Sequence, residues 1–322
     1  MEKVDAIIVG GGPCGLAAAI SLQNIGLSPI IIEKGNVVEA IYNYPTHQTF
    51  FSTSEKLSIG EVPFIIEGRK PKRNQALVYY REVVKIKNLQ LHRFETVERV
   101  EKKQDMFEIH TSKTTYIARI VIIATGYYDH PNLLGIPGEE LPKVSHYFKE
   151  GHPYFDTDVV VIGGKNSSID AALELHKARA RVTVVYRGSS YSSSIKPWIL
   201  PEFEGLVRSG EITMMFESQV EEIMQEEVRI YKHGEVTTLK NDFVFAMIGY
   251  HPDHDFLKTT GVQIDDVSGR PLLNELTMES NVENLYIAGV LAAGNNANEI
   301  FIENGRFHGE VIANAITQKE KL

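Results

Sequence analysis

Three glycines and an acid carry the first chemistry legible in this chain. Gly10, Gly12 and Gly15 stand at G-x-G-x-x-G spacing in VDAIIVGGGPCGLAAAI, and Glu33 follows 18 residues after Gly15. In that pattern the first glycine permits a tight turn, the second lets a pyrophosphate approach the backbone, and the third lets helix and strand pack closely. Amides at the helix N-terminus offer donors and partial positive charge to phosphate. The acid holds a ribose hydroxyl. The constellation predicts an adenine dinucleotide, with Gly10, Gly12, Pro13, Gly15, Glu33 and Lys34 as the residues around it.

The chain has one cysteine, Cys14, inside the same glycine turn. A helix N-terminus lowers a thiol pKa, and the thiolate is the reactive form. One reading makes Cys14 a redox nucleophile. The other makes it a small residue tolerated in a tight turn, where Ala or Ser would also fit.

A second constellation lies further on, in VVVIGGKNSSID…VVYR. Gly163, Lys165, Asn166, Ser167 and Ser168 occupy the turn, and Arg187 stands where Glu33 stood in the first copy. An arginine at that place suits the 2′-phosphate of NADP; the alternative is a solvated surface arginine. Lys165 replaces the middle glycine and either crowds the phosphates or binds them. The serine-rich loop from Ser189 to Ser194, with Lys196, reads as part of the 2′-phosphate pocket or as a mobile loop only.

These residues need elements to hold them. Apolar runs at Ala6–Val9 and Ile30–Ile32 read as strands flanking a helix from Gly15 to Asn24. Asn74 to Lys87 has helical period. Residues 96 to 126 read as three antiparallel strands closing on Ala124, Thr125 and Gly126, a small-residue turn that passes close to a ligand. Tyr127 to Pro142 is a linker. Then come a strand at Asp158–Ile162, a helix at Ile169–Arg179, a strand at Val182–Tyr186, and another meander closing on Ile248, Gly249 and Tyr250. NLYIAGVLAAG is a strand and turn, followed by one last helix from about Ile302 to Thr317.

The plan is therefore duplicated: an α/β chain of two Rossmann-like dinucleotide-binding domains, each with a small antiparallel β-meander. The last strand returns to the first domain, so the boundaries read 1–127 with 254–322 for the outer domain and 128–253 for the inserted one. Ser52 and Ser54 are either cofactor-bonding hydroxyls or part of a loop capping the next helix. Glu303 faces either the cofactor or solvent. His251, Asp253, His254 and Asp255 are crowded after a strand-ending turn and read as loop, so no metal is expected.

Length and composition set the bounds. The 322 residues suffice for two cores. A net charge of -9 argues against nucleic acid as a partner. No apolar stretch approaches the roughly 20 residues of a membrane span, no signal peptide pattern precedes the first strand, and the lone cysteine fits a reducing cytoplasm.

The segments GGGPCG…IIIEK, IVIIATG, VVVIGGKNSSID…VVYR and NLYIAGV together resemble two-dinucleotide flavoproteins of the thioredoxin-reductase type, over nearly the whole chain. More narrowly, Cys14, TFFSTSEKLSIG and GVLAAGNNANEIFIENGR resemble the bacillithiol disulfide reductase family. The resemblance implies FAD in the first domain, NADPH in the second, a small-molecule disulfide substrate, and thiol-redox proteins as further partners; a homo-oligomer is expected because symmetric assemblies are the usual kind. It places Glu33 on the adenosine ribose and the backbone near Val97 and Thr125 beside the flavin nucleotide. Two departures matter. The Cys-x-x-Cys of thioredoxin reductases is missing, which removes a dithiol relay. Val290 follows Gly289 where an aspartate usually stands, so flavin contacts there would depend on backbone amides. Two other functions share the two-site plan: a flavin monooxygenase, to which SHYFKEGHPY bears a faint likeness, and a non-catalytic redox sensor.

Overall fold

The structure, a computed structural model, describes residues 2–296 and 298–320. It divides into two compact units. One comprises the residues up to His130 and those from Tyr250 onward; the other is Pro131–Gly249. The crossings lie a few residues from the sequence-derived boundaries. Tyr128 packs on Tyr250 with ring centroids 4.6 Å apart, and Tyr127 reaches the same ring, which draws both chain segments into the first unit.

The first unit begins with β1 (Glu2–Val9), α1 (Pro13–Asn24), β2 (Pro29–Glu33), the short helices α2 (Glu39–Tyr42) and α3 (Ser54–Leu57), and α4 (Arg73–Ile86). The strands β3 (Gln90–Arg93), β4 (Val97–Lys103), β5 (Met106–Thr111) and β6 (Thr115–Ile123) follow. The second unit holds β7 (Val144–Ser145), β8 (Asp158–Ile162), α5 (Asn166–Lys177), β9 (Arg181–Val185), α6 (Leu200–Arg208) and β10 (Ile212–Met215). It continues with β11 (Gln219–Ile223), β12 (Glu227–Lys232), β13 (Glu235–Lys240) and β14 (Phe243–Ala246). The chain then returns to the first unit with α7 (His254–Thr259), β15 (Leu273–Asn274), β16 (Glu279–Ser280), β17 (Leu285–Ile287), α8 (Ile302–Gly305) and α9 (His308–Glu320).

The core of the first unit is a sheet in the order β15-β16-β17-β6-β1-β2-β3, with β4 and β5 joined to the edge of the β6 hairpin. Strands β17, β6, β1, β2 and β3 run parallel. Their apolar runs are unbroken because both faces are covered. Ile7, Val9, Ile30, Ile32, Val121 and Ile123 enter one core, while Ala6, Ile8, Ile31, Ile120 and Ile122 enter another with α1 and α9. In the second unit the parallel sheet β10-β9-β8-β14-β7 is covered by α5 on one face. The antiparallel sheet β11-β12-β13 covers the other, through Val220, Ile223, Val228 and Ile230.

Three expectations need correction. The last helix is two helices. Arg306 lies at the break, just after α8, and its guanidinium donates to the carbonyls of Glu55 and Ser58. The break lets α9 settle on α1, where a Cβ at Gly309 would lie 2.6 Å from Ala18 Cα. His254 and Asp255 are not loop: they open α7, whose N-cap Asp253 accepts from Phe256 N at 2.9 Å. The second meander does not run on into the parallel sheet as β6 does. Buried Asn241 donates to the carbonyls of Asp158 and Phe243 and turns the chain between β13 and β14.

Candidate active site

The parallel strands of the first unit end together at Val9, Glu33, Ile123 and Ile287, and the carboxyl ends of such strands are where open α/β sheets bind ligands. The turn after β1 is forced by close approach. Gly10 has φ +109°, and a Cβ there would meet Ala124 O at 2.5 Å. A Cβ at Gly15 would lie 2.0 Å from Gly10 O, so only glycine lets α1 start this near β1. Over Gly12 a Cβ would meet nothing within 4 Å. That open space, facing the first-turn amides that have no intrahelical acceptor, has room for a pyrophosphate.

Glu33 is buried, and both carboxylate oxygens are engaged: Gly11 N donates to one at 2.6 Å and Gly35 N to the other at 2.8 Å. Burial pushes its carboxyl up from the usual range, and the two amides pull it back. Lone pairs remain for a ribose hydroxyl. Lys34 extends to Asp129 at 2.9 Å. Val97 starts β4 just beyond Glu95, whose amide donates to Glu33 O. Thr125 and Gly126 follow β6, with Thr125 Cα 3.1 Å from a Cβ at Gly10. Ser52 donates its hydroxyl to Glu303 Oε1 at 2.7 Å, which joins two residues left open by the sequence. Ser54 is buried at the start of α3.

Cys14 occupies the second position of α1. Its Sγ would lie 3.1 Å from a Cβ at Gly289 and 3.0 Å from one at Gly305, so two glycines from distant parts of the chain form a slot around the sulfur. The sequence-based expectation of a depressed thiol pKa is overturned. Burial pushes Cys14 up to about 12, and no cation offsets it; desolvation outweighs the helix terminus. The expectation at Gly289 also changes. Its amide donates to His308 Nδ1 at 3.1 Å, so it is already engaged. His308 was not singled out by spacing, because only the break before α9 brings it there. A row of tyrosines also lies beyond what the spacing shows. Tyr44 meets Tyr128 edge-on at 5.0 Å, and Tyr128 meets Tyr250. The doublet Tyr127–Tyr128 after Gly126 was its only signal in the sequence.

In the second unit, Gly163 repeats the first turn: φ is +136°, and a Cβ would lie 2.5 Å from Met247 O. Ser168 takes the place of Gly15. It is fully buried, and its hydroxyl turns inward to Lys165 O at 2.8 Å. Asn166 pins the serine loop, donating to Ser194 O and accepting from Lys196 N, both at 2.8 Å. Lys196 pairs with Asp170 at 2.9 Å. Gly249 accepts from Asn132 N at the end of the last strand's turn. Lys165, Ser167 and Arg187 are exposed. Neither Lys165 nor Arg187 forms an ion pair with a described residue, so two cations stand ready for a phosphorylated ligand.

The pattern of the pyridine nucleotide-disulphide oxidoreductase family matches residues 7–289. The bacilliredoxin reductase Bdr of Bacillus subtilis is 68% identical over 99% of both chains. Solved structures of bacillithiol disulfide reductase Bdr superpose with a TM-score of 0.97. The Bacillus cereus protein is 64% identical and the Staphylococcus aureus protein 60%, each alignment covering 99% of this chain and 100% of the other. The chain belongs to the pyridine nucleotide-disulphide oxidoreductase family, and within it to the bacillithiol disulfide reductases. It is an oxidoreductase, and the cofactors of this family are FAD and NADPH. No described helix is long and apolar enough to cross a membrane. The spared space over Gly12 and the two uncommitted cations fit these cofactors.

Alkylation of Cys14 by iodoacetamide should rise about tenfold per pH unit through the alkaline range without levelling, since the thiol titrates near 12. A plateau below pH 7 would show a thiolate instead. Replacing Arg187 with Ala should raise KM for NADPH about tenfold or more and leave KM for NADH unchanged, the scale of one charge-assisted bond; equal effects on both would place the 2′-phosphate elsewhere.

Proposed function

We propose that this chain reduces the disulfide of a low-molecular-weight thiol, bacillithiol disulfide foremost, with Cys14 as the sulfur that engages the substrate. FAD would lie along Gly10, Gly12, Glu33 and Thr125, and NADPH along Gly163, Lys165 and Arg187. Bound together, the two supply an electron pair that originates as hydride on NADPH.

One observation carries the reading: the chain's only cysteine sits at the N-terminus of α1, in a slot at the ends of the parallel strands. With one cysteine, no internal dithiol relay can form. Exchange at Cys14 forms one S–S bond and breaks another. The Cys14 proton leaves with the first bacillithiol, and a mixed disulfide between Cys14 and the second remains. An electron pair and two protons, one of them from solvent, then return the Cys14 thiol and free the second bacillithiol. The glycines on either side leave the sulfur the space that a side chain at either position would fill. The high thiol pKa keeps the resting sulfur protonated and slow towards adventitious oxidants. The name of the Bacillus subtilis relative supports a second source of substrate, a mixed disulfide held on a small redox protein. Assembly as a homo-oligomer and residence in the cytoplasm belong to the same proposal.

Purified Cys14→Ala protein should remain yellow, be bleached by NADPH, and turn over no bacillithiol disulfide. Glutathione disulfide and cystine serve as controls for the wild type. Full turnover by Cys14→Ala would refute the role.

A further inference from the structure

The corner that follows β17 holds Cys14 through an imidazole. Gly289 has φ +77° and donates its amide to His308 Nδ1 at 3.1 Å. Gly289 is also one wall of the Cys14 slot, with Gly305 as the other. Gly305 ends α8 and His308 begins α9, so the His308 side chain ties the start of α9 to the glycine corner. We propose that His308 is a positioning residue for the reduction: its neutral ring fixes Gly289 and thereby the width and orientation of the Cys14 slot. The proposal rests on the role given to Cys14 above.

The chemistry of the bond sets its conditions. An imidazole nitrogen accepts from an amide only when it carries no proton, so the bond selects the tautomer protonated at Nε2. Burial pushes the His308 pKa below its usual value, which keeps the ring neutral at physiological pH. The sign follows directly. As pH falls through that depressed pKa, Nδ1 gains a proton, the Gly289 amide loses its acceptor, and the slot loosens. The titratable and charged groups on neighbouring elements have other engagements. Cys14 on α1 is a buried thiol, Glu303 on α8 accepts from Ser52, Arg306 donates to the carbonyls of Glu55 and Ser58, and Glu310 on α9 is exposed.

Two variants of the holoenzyme test this. His308→Asn keeps an acceptor that does not titrate; His308→Leu has none. Each is compared with wild type for FAD content, for alkylation of Cys14 by iodoacetamide at fixed alkaline pH, and for turnover of bacillithiol disulfide from pH 5 to 8. His308→Leu should alkylate about tenfold faster at unchanged FAD content, the scale of an unpaired buried donor. His308→Asn should alkylate at the wild-type rate and keep its turnover, without the wild-type decline at acid pH. Wild-type alkylation by His308→Leu, or an unchanged acid limb in His308→Asn, would overturn the proposal. The alkylation arm does not depend on catalysis. If Cys14→Ala retains turnover while His308→Leu still exposes the thiol, the catalytic reading of Cys14 fails, and His308 holds the thiol without serving the reduction. Should His308→Leu lose FAD, the comparison of His308→Asn with wild type decides alone.

Discussion

The first turn of the chain is set by the close approach of α1 to the backbone that follows β1. A single methyl group at Gly15 would sit 2.0 Å from Gly10 O, inside any van der Waals contact. The helix can begin there only because the third glycine has no Cβ. Everything at the strand ends follows from that start. Pro13 takes the first helical position, where its missing N–H is no loss. Cys14 falls at the second, between Gly289 and Gly305. The space over Gly12 stays open for phosphate. A longer separation would lower the helix terminus away from the ligand and the sulfur away from its slot.

The second unit uses the same turn under looser constraint. Gly163 keeps the positive φ and the contact with the next strand but one, yet Ser168 fits where Gly15 was required. The helix stands off enough for a hydroxymethyl group. Lys165 and Arg187 bring positive charge where the first unit has backbone and a carboxylate. One plan thus yields two electrostatic environments. The first offers an acceptor of the kind that suits a ribose hydroxyl, and the second offers cations of the kind that suit a phosphate.

The two glycine turns, their strands and their helices were legible in the sequence because the signals are local: an unbroken apolar run, a glycine at fixed spacing, a helical period. The family resemblance added the cofactors. What was not legible depends on chain segments distant in sequence. At the split between α8 and α9, Arg306 reaches carbonyls some 250 residues earlier. The pairing of Ser52 with Glu303 spans a similar gap. The Cys14 pKa is not legible in the sequence, because position at a helix N-terminus is visible there and burial beside Gly289 and Gly305 is not. His254 and Asp255 looked like loop because a short helix capped by Asp253 has too few residues to show a period.

The proposed role of Cys14 as the one sulfur that receives the electron pair has a stoichiometric consequence. The protein carries no second thiol with which Cys14 could store an electron pair as an internal disulfide. Anaerobic titration of the FAD-loaded protein with NADPH, followed by flavin absorbance, measures this directly. Complete bleaching at about one NADPH per FAD is the expected result. Uptake of about two would reveal another two-electron centre and contradict reduction through Cys14 alone.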